Sequence, residues 1–237
     1  MFYQSIRIQI AIITKLINNT KFKIDKGDHL LDTHTHILWN IDDGSKNQCM
    51  SLQMLEIAAR SGTKAIFATP HVIERANKPS WEEIKEKTQQ LRQLCAEAQI
   101  DIMLYPGAEV QMNWELLPEL GAAGAYCLNG GRYVLVELPA AEPPAYADEF
   151  WYELELKGIT PILAHPERYQ QLRENPDLLL LWRRRGMLMQ CNSGSFTGMF
   201  GSSVCENAKV LLANGLVDLL GSDGHRSEGR NTDMSRA

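Results

Sequence analysis

The chain of 237 residues lacks paired cysteines: Cys49, Cys95, Cys127, Cys191 and Cys205 are odd in number, scattered, and nowhere spaced as C-x-x-C. That pattern excludes a disulfide framework and a zinc knuckle, and a reducing cytoplasm is the expected compartment. An excess of positive charge is also missing. With Lys+Arg 24 against Asp+Glu 29, the net charge of −5 leaves no basic footprint for nucleic acid. Long apolar runs are absent. Residues 6–17 come nearest, but Arg7, Gln9 and Lys15 interrupt them and they are too short to span a bilayer. No small-residue cleavage site follows, so neither a transmembrane segment nor a signal peptide is expected. Residues 1–28 read as an N-terminal extension, packed on the domain or disordered. Lys21, Lys23 and Lys26 leave a weak membrane-surface or partner-docking helix as the alternative. Without a G-x-G-x-x-G or Walker-type loop, the nucleotide-binding α/β folds lose their main signature.

What is present is an ordinary globular composition, 44% hydrophobic and 22% charged, and a regular alternation from residue 29 onward. Strand-like apolar runs at 29–33, 64–69, 100–105, 133–138, 159–164, 187–191 and 216–221 alternate with helical patterns at 51–60, 80–98, 114–123, 145–157, 176–185 and 204–213. Gly62, Gly158, Gly186 and Gly215 stand where helices should stop, and Ser80 with Glu83 three residues on is a capping signal. Repeats of this kind, without a linker or low-complexity segment, predict one parallel α/β domain over 29–237.

The stretch Asp32-Thr33-His34-Thr35-His36 closes the first strand, and histidines at i and i+2 on a strand share a face. Alone, the pair fits two polar residues at a strand end equally well. Its weight comes from the strand ends that follow, which add Asp43, His71, Glu109, Glu137, His165, Asp223 and His225. Five of the six histidines fall in this set, whereas an incidental distribution would scatter them over helices and loops. Candidates spread along the whole chain favour a closed barrel, whose carboxyl-end loops converge on one site, over an open sheet. Imidazole and carboxylate without thiolate suit manganese, iron or zinc. Nine donors overserve one ion and suit three, with a bridging carboxylate.

These motifs resemble the polymerase-and-histidinol-phosphatase (PHP) superfamily. The carriers are Asp32-x-His34-x-His36, Asp42-Asp43-Gly44, Ala68-Thr69-Pro70-His71, Pro106-Gly107-Ala108-Glu109, Glu137-Leu138-Pro139, Ala164-His165-Pro166-Glu167-Arg168 and Ser222-Asp223-Gly224-His225. Within the superfamily the chain is most similar to the bacterial CpsB/YwqE-type tyrosine-protein phosphatases, which act on autokinases of capsule and exopolysaccharide export. The likeness runs over about residues 29–230.

The resemblance implies a distorted (β/α)7 TIM-like barrel with three divalent ions at the carboxyl ends of its strands, manganese first, with iron or zinc as alternatives. It implies His34, His36, Glu109 and Asp223 for the first ion, Glu109 with Glu137 and His165 for the second, and Asp43, His71 and His225 for the third. Asp43 and Glu137, where relatives with other substrates often carry histidine, favour the tyrosine-phosphatase branch. Arg168 and Arg230 match the family's phosphate-binding arginines. The implied reaction is direct hydrolysis: a hydroxide bridging two cations attacks phosphorus in line, and tyrosine leaves as a phenol of pKa about 10 without needing a strong acid.

A phosphotyrosine protein, a bacterial tyrosine kinase, is the implied partner, and an oligomer is left open. The alternatives are a PHP phosphatase of a small phosphomonoester such as histidinol phosphate, or a non-catalytic protein that docks on a kinase. A thiolate mechanism is not expected, because Cys127 to Arg132 is one residue short of C-x5-R and no other cysteine comes closer.

Around this set, Asp32 and Asp42 are expected as hydrogen-bond acceptors beside the ligands or as turn formers. His29 and the arginines 183–185 and 226 are expected at the surface, Arg226 within reach of substrate. Asn192, Ser193, Arg75 and Trp81 are further candidates for the cleft. Family members continue past the seventh strand with a further helix or two, whereas this chain stops at residues 231–237. The expectation is therefore a truncated sequence or a barrel lacking its last covering helix, with Arg230 poorly ordered near a free end.

Overall fold

The computed structural model describes residues 30–139 and 143–237, so the N-terminal extension and His29 lie outside the described residues. The strands are β1 (Leu30–Thr35), β2 (Thr63–Ala68), β3 (His71–Val72), β4 (Met103–Pro106), β5 (Glu109–Gln111), β6 (Tyr133–Glu137), β7 (Thr160–Ala164), β8 (Leu188–Asn192) and β9 (Leu219–Gly221). All pairings are parallel, in the orders β1-β2-β4 and β3-β5-β6-β7-β8-β9.

The two sheets are one curled wall. The chain passes from β2 to β3 through Thr69-Pro70 and from β4 to β5 through Gly107-Ala108. The Gly107 N–H donates to the Ala68 carbonyl (2.9 Å) and the Glu109 N–H to the Pro70 carbonyl (3.0 Å), which carries the pairing across both breaks. At the other margin the Asp223 N–H donates to the His34 carbonyl (2.7 Å) and the His36 N–H to the Gly224 carbonyl (3.0 Å), so the segment after β9 closes on β1. Seven extended segments result, two of them broken, which is the distorted (β/α)7 barrel expected. The breaks have a local cause. Pro70 has no N–H to give to the ladder, and a Cβ at Gly107 would meet Leu128 Cδ2 at 2.6 Å, because Leu128 enters the barrel there.

Alternation along the strands separates two apolar layers. Leu31, Ala65, Phe67, Leu128, Tyr133, Leu135, Ile162, Ala164 and Leu219 fill the barrel interior. The intervening residues, such as Ile66, Leu104, Val134, Val136, Leu163 and Met189, pack outward against the helices. The helix Gln48–Arg60 starts at Asn47, whose side chain accepts from the Met50 N–H (2.9 Å), and buries Met54, Leu55 and Ala58. The helix Trp81–Glu97 starts at Ser80, as its capping signal predicts, and buries Ile84, Leu91 and Cys95.

Several expectations need correction. No α-helix forms over 114–123. Pro118 cannot donate, Gly121 and Gly124 take left-handed φ values of 75° and 80°, and only the turns Ala122–Gly124 and Leu128–Gly130 are helical, of 3-10 type. Short helices at Gln170–Glu174 and Ser193–Phe196 lack a periodic signal and were not expected. Arg183 is no free surface group, since it pairs with the buried Asp218, which also accepts from the Met189 N–H (2.9 Å).

The last residues are also packed. Thr232 and Met234 are buried, and the Thr232 hydroxyl donates to the Met54 carbonyl on the first helix (2.5 Å). Arg230 is held as well, its carbonyl accepting from the N–H groups of His225 (2.9 Å) and Arg226 (3.1 Å). No helix among the described residues is long and apolar enough to cross a membrane.

Phe67 is fully buried inside the barrel, and Leu156 is 63% exposed on the outer ring. Phe67→Ala should cost about 3–5 kcal/mol in denaturant unfolding, and Leu156→Ala no more than about 0.5 kcal/mol. Equal losses would contradict the assignment of the interior layer.

Candidate metal centre

The carboxyl ends of the strands bring together the nine imidazole and carboxylate candidates named from the sequence. His34 and His36 leave β1 on one face, with their Nε2 atoms 3.1 Å apart. Glu109, at the start of β5, points Oε2 between them, 3.0 Å from His34 Nε2 and 3.2 Å from His36 Nε2. Asp223, just past β9, completes the group with Oδ1 at 3.5 and 3.3 Å from the same two nitrogens. All four side chains are buried.

A second group shares Glu109. His71 Nδ1 lies 3.2 Å from Glu109 Oε2 and 3.3 Å from Glu137 Oε1. His165, after β7, stands on the other oxygen, with Nε2 2.9 Å from Glu109 Oε1. His165 was expected beside Glu109 and Glu137; instead His71 groups with those two carboxylates, while His165 contacts only the far oxygen of Glu109. The third group is more open. Asp43, 66% exposed, has Oδ1 3.7 Å from His71 Nε2 and 3.4 Å from His225 Nε2, and the His36 and His225 rings lie 4.0 Å apart. His36 belongs to this group too.

Supporting side chains fix the imidazoles. His36 Nδ1 meets Asp42 Oδ2 at 2.7 Å, and the Asp42 carboxylate also accepts from the N–H groups of Gly44 (2.8 Å) and His71 (3.0 Å). His34 Nδ1 meets Gln190 Oε1 at 2.9 Å. Asp32 lies beneath, accepting from the N–H groups of His34 (3.2 Å) and Ser222 (2.8 Å), and burial pushes its carboxyl up to about 6. Asp32 and Asp42 are therefore acceptors beside the group, as expected. Arg226 is not merely solvated. Its guanidinium donates to the carbonyls of Asp43 (2.5 Å), Gly44 (2.7 Å) and His225 (2.8 Å), tying the loop of Asp43 to that of His225.

Asp223 Oδ2 faces the other way and collects three donors: Arg168 Nη1 (3.0 Å), Asn192 Nδ2 (2.7 Å) and the Arg230 guanidinium. Phe200 lies under both arginines. The sequence reading missed Gln190 and Phe200. Gln190 had a signal, a polar residue within an apolar strand, while Phe200 stands between glycines with no periodicity. Ser193 is buried at the start of the short helix after β8; Arg75 pairs with exposed Glu115, and Trp81 packs 6.1 Å from the Tyr126 ring. A groove of ≈ 510 Å³ opens beside the site, lined by Asn40, Ile41, Asp42, Asp43, His71, Ile73 and Asn77.

The electrostatics reflect this convergence. For His34 and His36, burial favours the neutral ring, but Glu109 and Asp223 beside the first and Asp42 beside the second outweigh it and raise both proton affinities. Burial works against the Glu109 and Asp223 carboxylates, yet His34 and the neighbouring hydrogen bonds hold both well below the usual carboxylate range. Glu109 Oε2, Asp223 Oδ1 and His71 Nδ1 are buried without a hydrogen-bond partner. Two imidazole nitrogens and two carboxylate oxygens aimed at one point need protons or cations between them. The donor set therefore fits divalent metal.

Comparison with known proteins points the same way. A family model described as "Capsular polysaccharide synthesis, CpsB/CapC" matches residues 30–237. The tyrosine-protein phosphatase YwqE of Bacillus subtilis is 34% identical over 202 residues, covering 85% of this chain and 80% of that protein. The tyrosine-protein phosphatase CpsB of Streptococcus pneumoniae is 28% identical over 213 residues, covering 88% of each. A crystal structure from work on YwqE and CpsB, described as unique metal-dependent tyrosine phosphatases, superposes with a TM-score of 0.83 at 34% identity, covering 88% of this chain and 84% of that one. The histidinol phosphate phosphatase of Lactococcus lactis shares the fold at a TM-score of 0.56 and 15% identity, covering 84% of this chain and 87% of that one.

Metal must displace protons from His34 and His36. Manganese added to the metal-free protein should release protons, and its apparent affinity should fall as pH is lowered toward 6. The metal-free protein should behave oppositely. Its raised imidazoles contribute stability that is full below the unfolded histidine value of about 6.5 and is lost as pH rises through the folded values. Calorimetric titration in buffers of different ionisation enthalpy, with melting curves across pH, measures both. Manganese binding without proton release would contradict the assignment.

Proposed function

The chain belongs to the CpsB/CapC family of capsular polysaccharide synthesis, and from that premise we propose that it is a metal-dependent protein-tyrosine phosphatase, a phosphoric monoester hydrolase. The observation that carries the reading is Asp223. One of its oxygens faces the imidazole–carboxylate group, and the other gathers two arginines, so cation-binding and phosphate-binding chemistry meet on one residue.

In this reading His34, His36, Glu109 and Asp223 hold one divalent cation. Glu109 with Glu137 and His165 would hold a second, and Asp43, His71 and His225 would hold a third. Manganese is the first choice, with iron or zinc as alternatives. Bound there, the cations supply Lewis-acid charge that acidifies water and neutralises phosphoryl oxygens. The protein's own groups do the rest. Arg168 and Arg230, planar and permanently charged, take the phosphoryl oxygens in bidentate fashion and set the phosphorus in line. His34 and His36 are kept in one tautomer by Gln190 and Asp42. No dedicated acid is required, since a phenol of pKa about 10 is an adequate leaving group.

In this reading the groove beside His71 and Asp43 receives the peptide that flanks the phosphotyrosine. We place the barrel domain at residues 29–237 in the cytoplasm, with a tyrosine autokinase of capsular or exopolysaccharide synthesis as substrate.

His165→Ala should lose both metal and rate, whereas Arg168→Ala should keep its metal and lose rate by about 10²–10³-fold. The check is elemental analysis of both variants together with assay on a phosphotyrosine peptide. A clear preference of the wild-type protein for histidinol phosphate would overturn the substrate assignment. No hydrolysis of any phosphomonoester by metal-loaded protein would move the reading to a kinase-docking protein.

A further inference from the structure

Arg168 and Arg230 are each about a third exposed, at 32% and 30%, and reach the site from different loops. Both contact Asp223 Oδ2, and both lie over one aromatic ring. The Arg168 guanidinium carbon is 4.7 Å from the centre of the Phe200 ring, and that of Arg230 is 5.5 Å away.

The two contacts respond differently to a phosphate. A dianionic phosphoryl group competes with the Asp223 carboxylate for the same N–H donors, so the carboxylate cannot hold both arginines while they bind substrate. A ring beneath a guanidinium uses the π face and leaves the N–H edges free, so this contact persists whichever anion takes the donors.

The turn that carries Phe200 has defined geometry. Gly198 and Gly201 take φ values of 83° and 95°, and the Met199 N–H donates to the Gly194 carbonyl (3.0 Å) and the Gly201 N–H to the Gly198 carbonyl (3.0 Å). Met199 closes over Gly194 so tightly that a Cβ there would meet its sulfur at 2.9 Å. The ring is therefore presented from a fixed platform.

We propose that Phe200 is a positioning residue for phosphate recognition: its ring holds the Arg168 and Arg230 guanidinium groups with their N–H edges toward the phosphoryl site when substrate displaces them from Asp223. This rests on the reading of both arginines as phosphate-binding groups. An aliphatic side chain of similar size fills the same space and supplies no π face. The role therefore requires an aromatic residue.

The test compares metal-loaded wild-type protein with Phe200→Leu, Phe200→Tyr, Arg168→Ala and the double variant Arg168→Ala/Phe200→Leu. Inorganic phosphate binding is measured by calorimetry, steady-state kinetics on a phosphotyrosine peptide, and metal content by elemental analysis. Phe200→Leu should weaken phosphate binding by about tenfold and raise KM in step, with a smaller change in kcat and full metal content. Phe200→Tyr should restore both values, and the leucine substitution should cost less in the Arg168→Ala background.

Phosphate affinity in Phe200→Leu equal to wild type would overturn the proposal. So would an equal loss in Phe200→Tyr, or an undiminished loss in the double variant. Wild-type protein that binds phosphate but hydrolyses no phosphotyrosine peptide would overturn the phosphatase reading instead, and the phosphate titrations would still decide the role of Phe200.

Discussion

Two imidazole nitrogens and two carboxylate oxygens, all buried, aimed at one another across about hydrogen-bond distance, form the arrangement on which the rest of the structure depends. None of the four can satisfy another without an added positive charge, and burial removes the water that would otherwise screen them. Such a cluster opposes folding unless something cationic fills it. Evolution of a barrel for stability alone would place apolar side chains there, as the layer just beneath does with Phe67, Leu135 and Ile162.

The surrounding structure pays to keep this arrangement. His165 and Asp223 take left-handed φ values of 37° and 52° at the ends of their strands, where a residue other than glycine costs about 1–3 kcal/mol. Asp42, Gln190 and Asn192 hold the orientation of His36, His34 and Asp223 from behind. Glu167, buried beside Arg168, accepts from the Asn192 N–H (2.8 Å) and the Ser195 hydroxyl (2.7 Å), and its carbonyl accepts from Asn207 Nδ2 (3.0 Å). The loop after β7 is thereby fixed to β8 and to the helix Ser202–Ala213. Arg168 and the imidazole–carboxylate group thus share one support.

Much of this was legible in the sequence, because the residues that build it are polar groups at the ends of apolar runs. Histidines and carboxylates at the ends of all the expected strands but the sixth pointed to the candidate site, and the period of two placed His34 and His36 on one face. The breaks in two strands were not legible: Pro70 was visible, but the need for Gly107 depends on Leu128 entering the barrel from a distant loop. The absent helix at 114–123 shows apolar spacing outweighed by Pro118 and by left-handed glycines. Arg183 and Arg226 looked like surface charges because their partners, Asp218 and three loop carbonyls, come from remote segments. Phe200 acts through the arginines rather than through its own hydrogen bonds, so no local pattern announced it.

The central claim is that the cluster around Glu109 and Asp223 is a cation site rather than a proton-bridged polar core. Anomalous diffraction from crystals of manganese-loaded protein tests it most directly. The account predicts more than one anomalous peak, each within ordinary ligand distance, about 2.0–2.3 Å, of carboxylate oxygens or imidazole nitrogens of this cluster. A well-ordered pocket with no peak, or peaks only elsewhere on the protein, would contradict it.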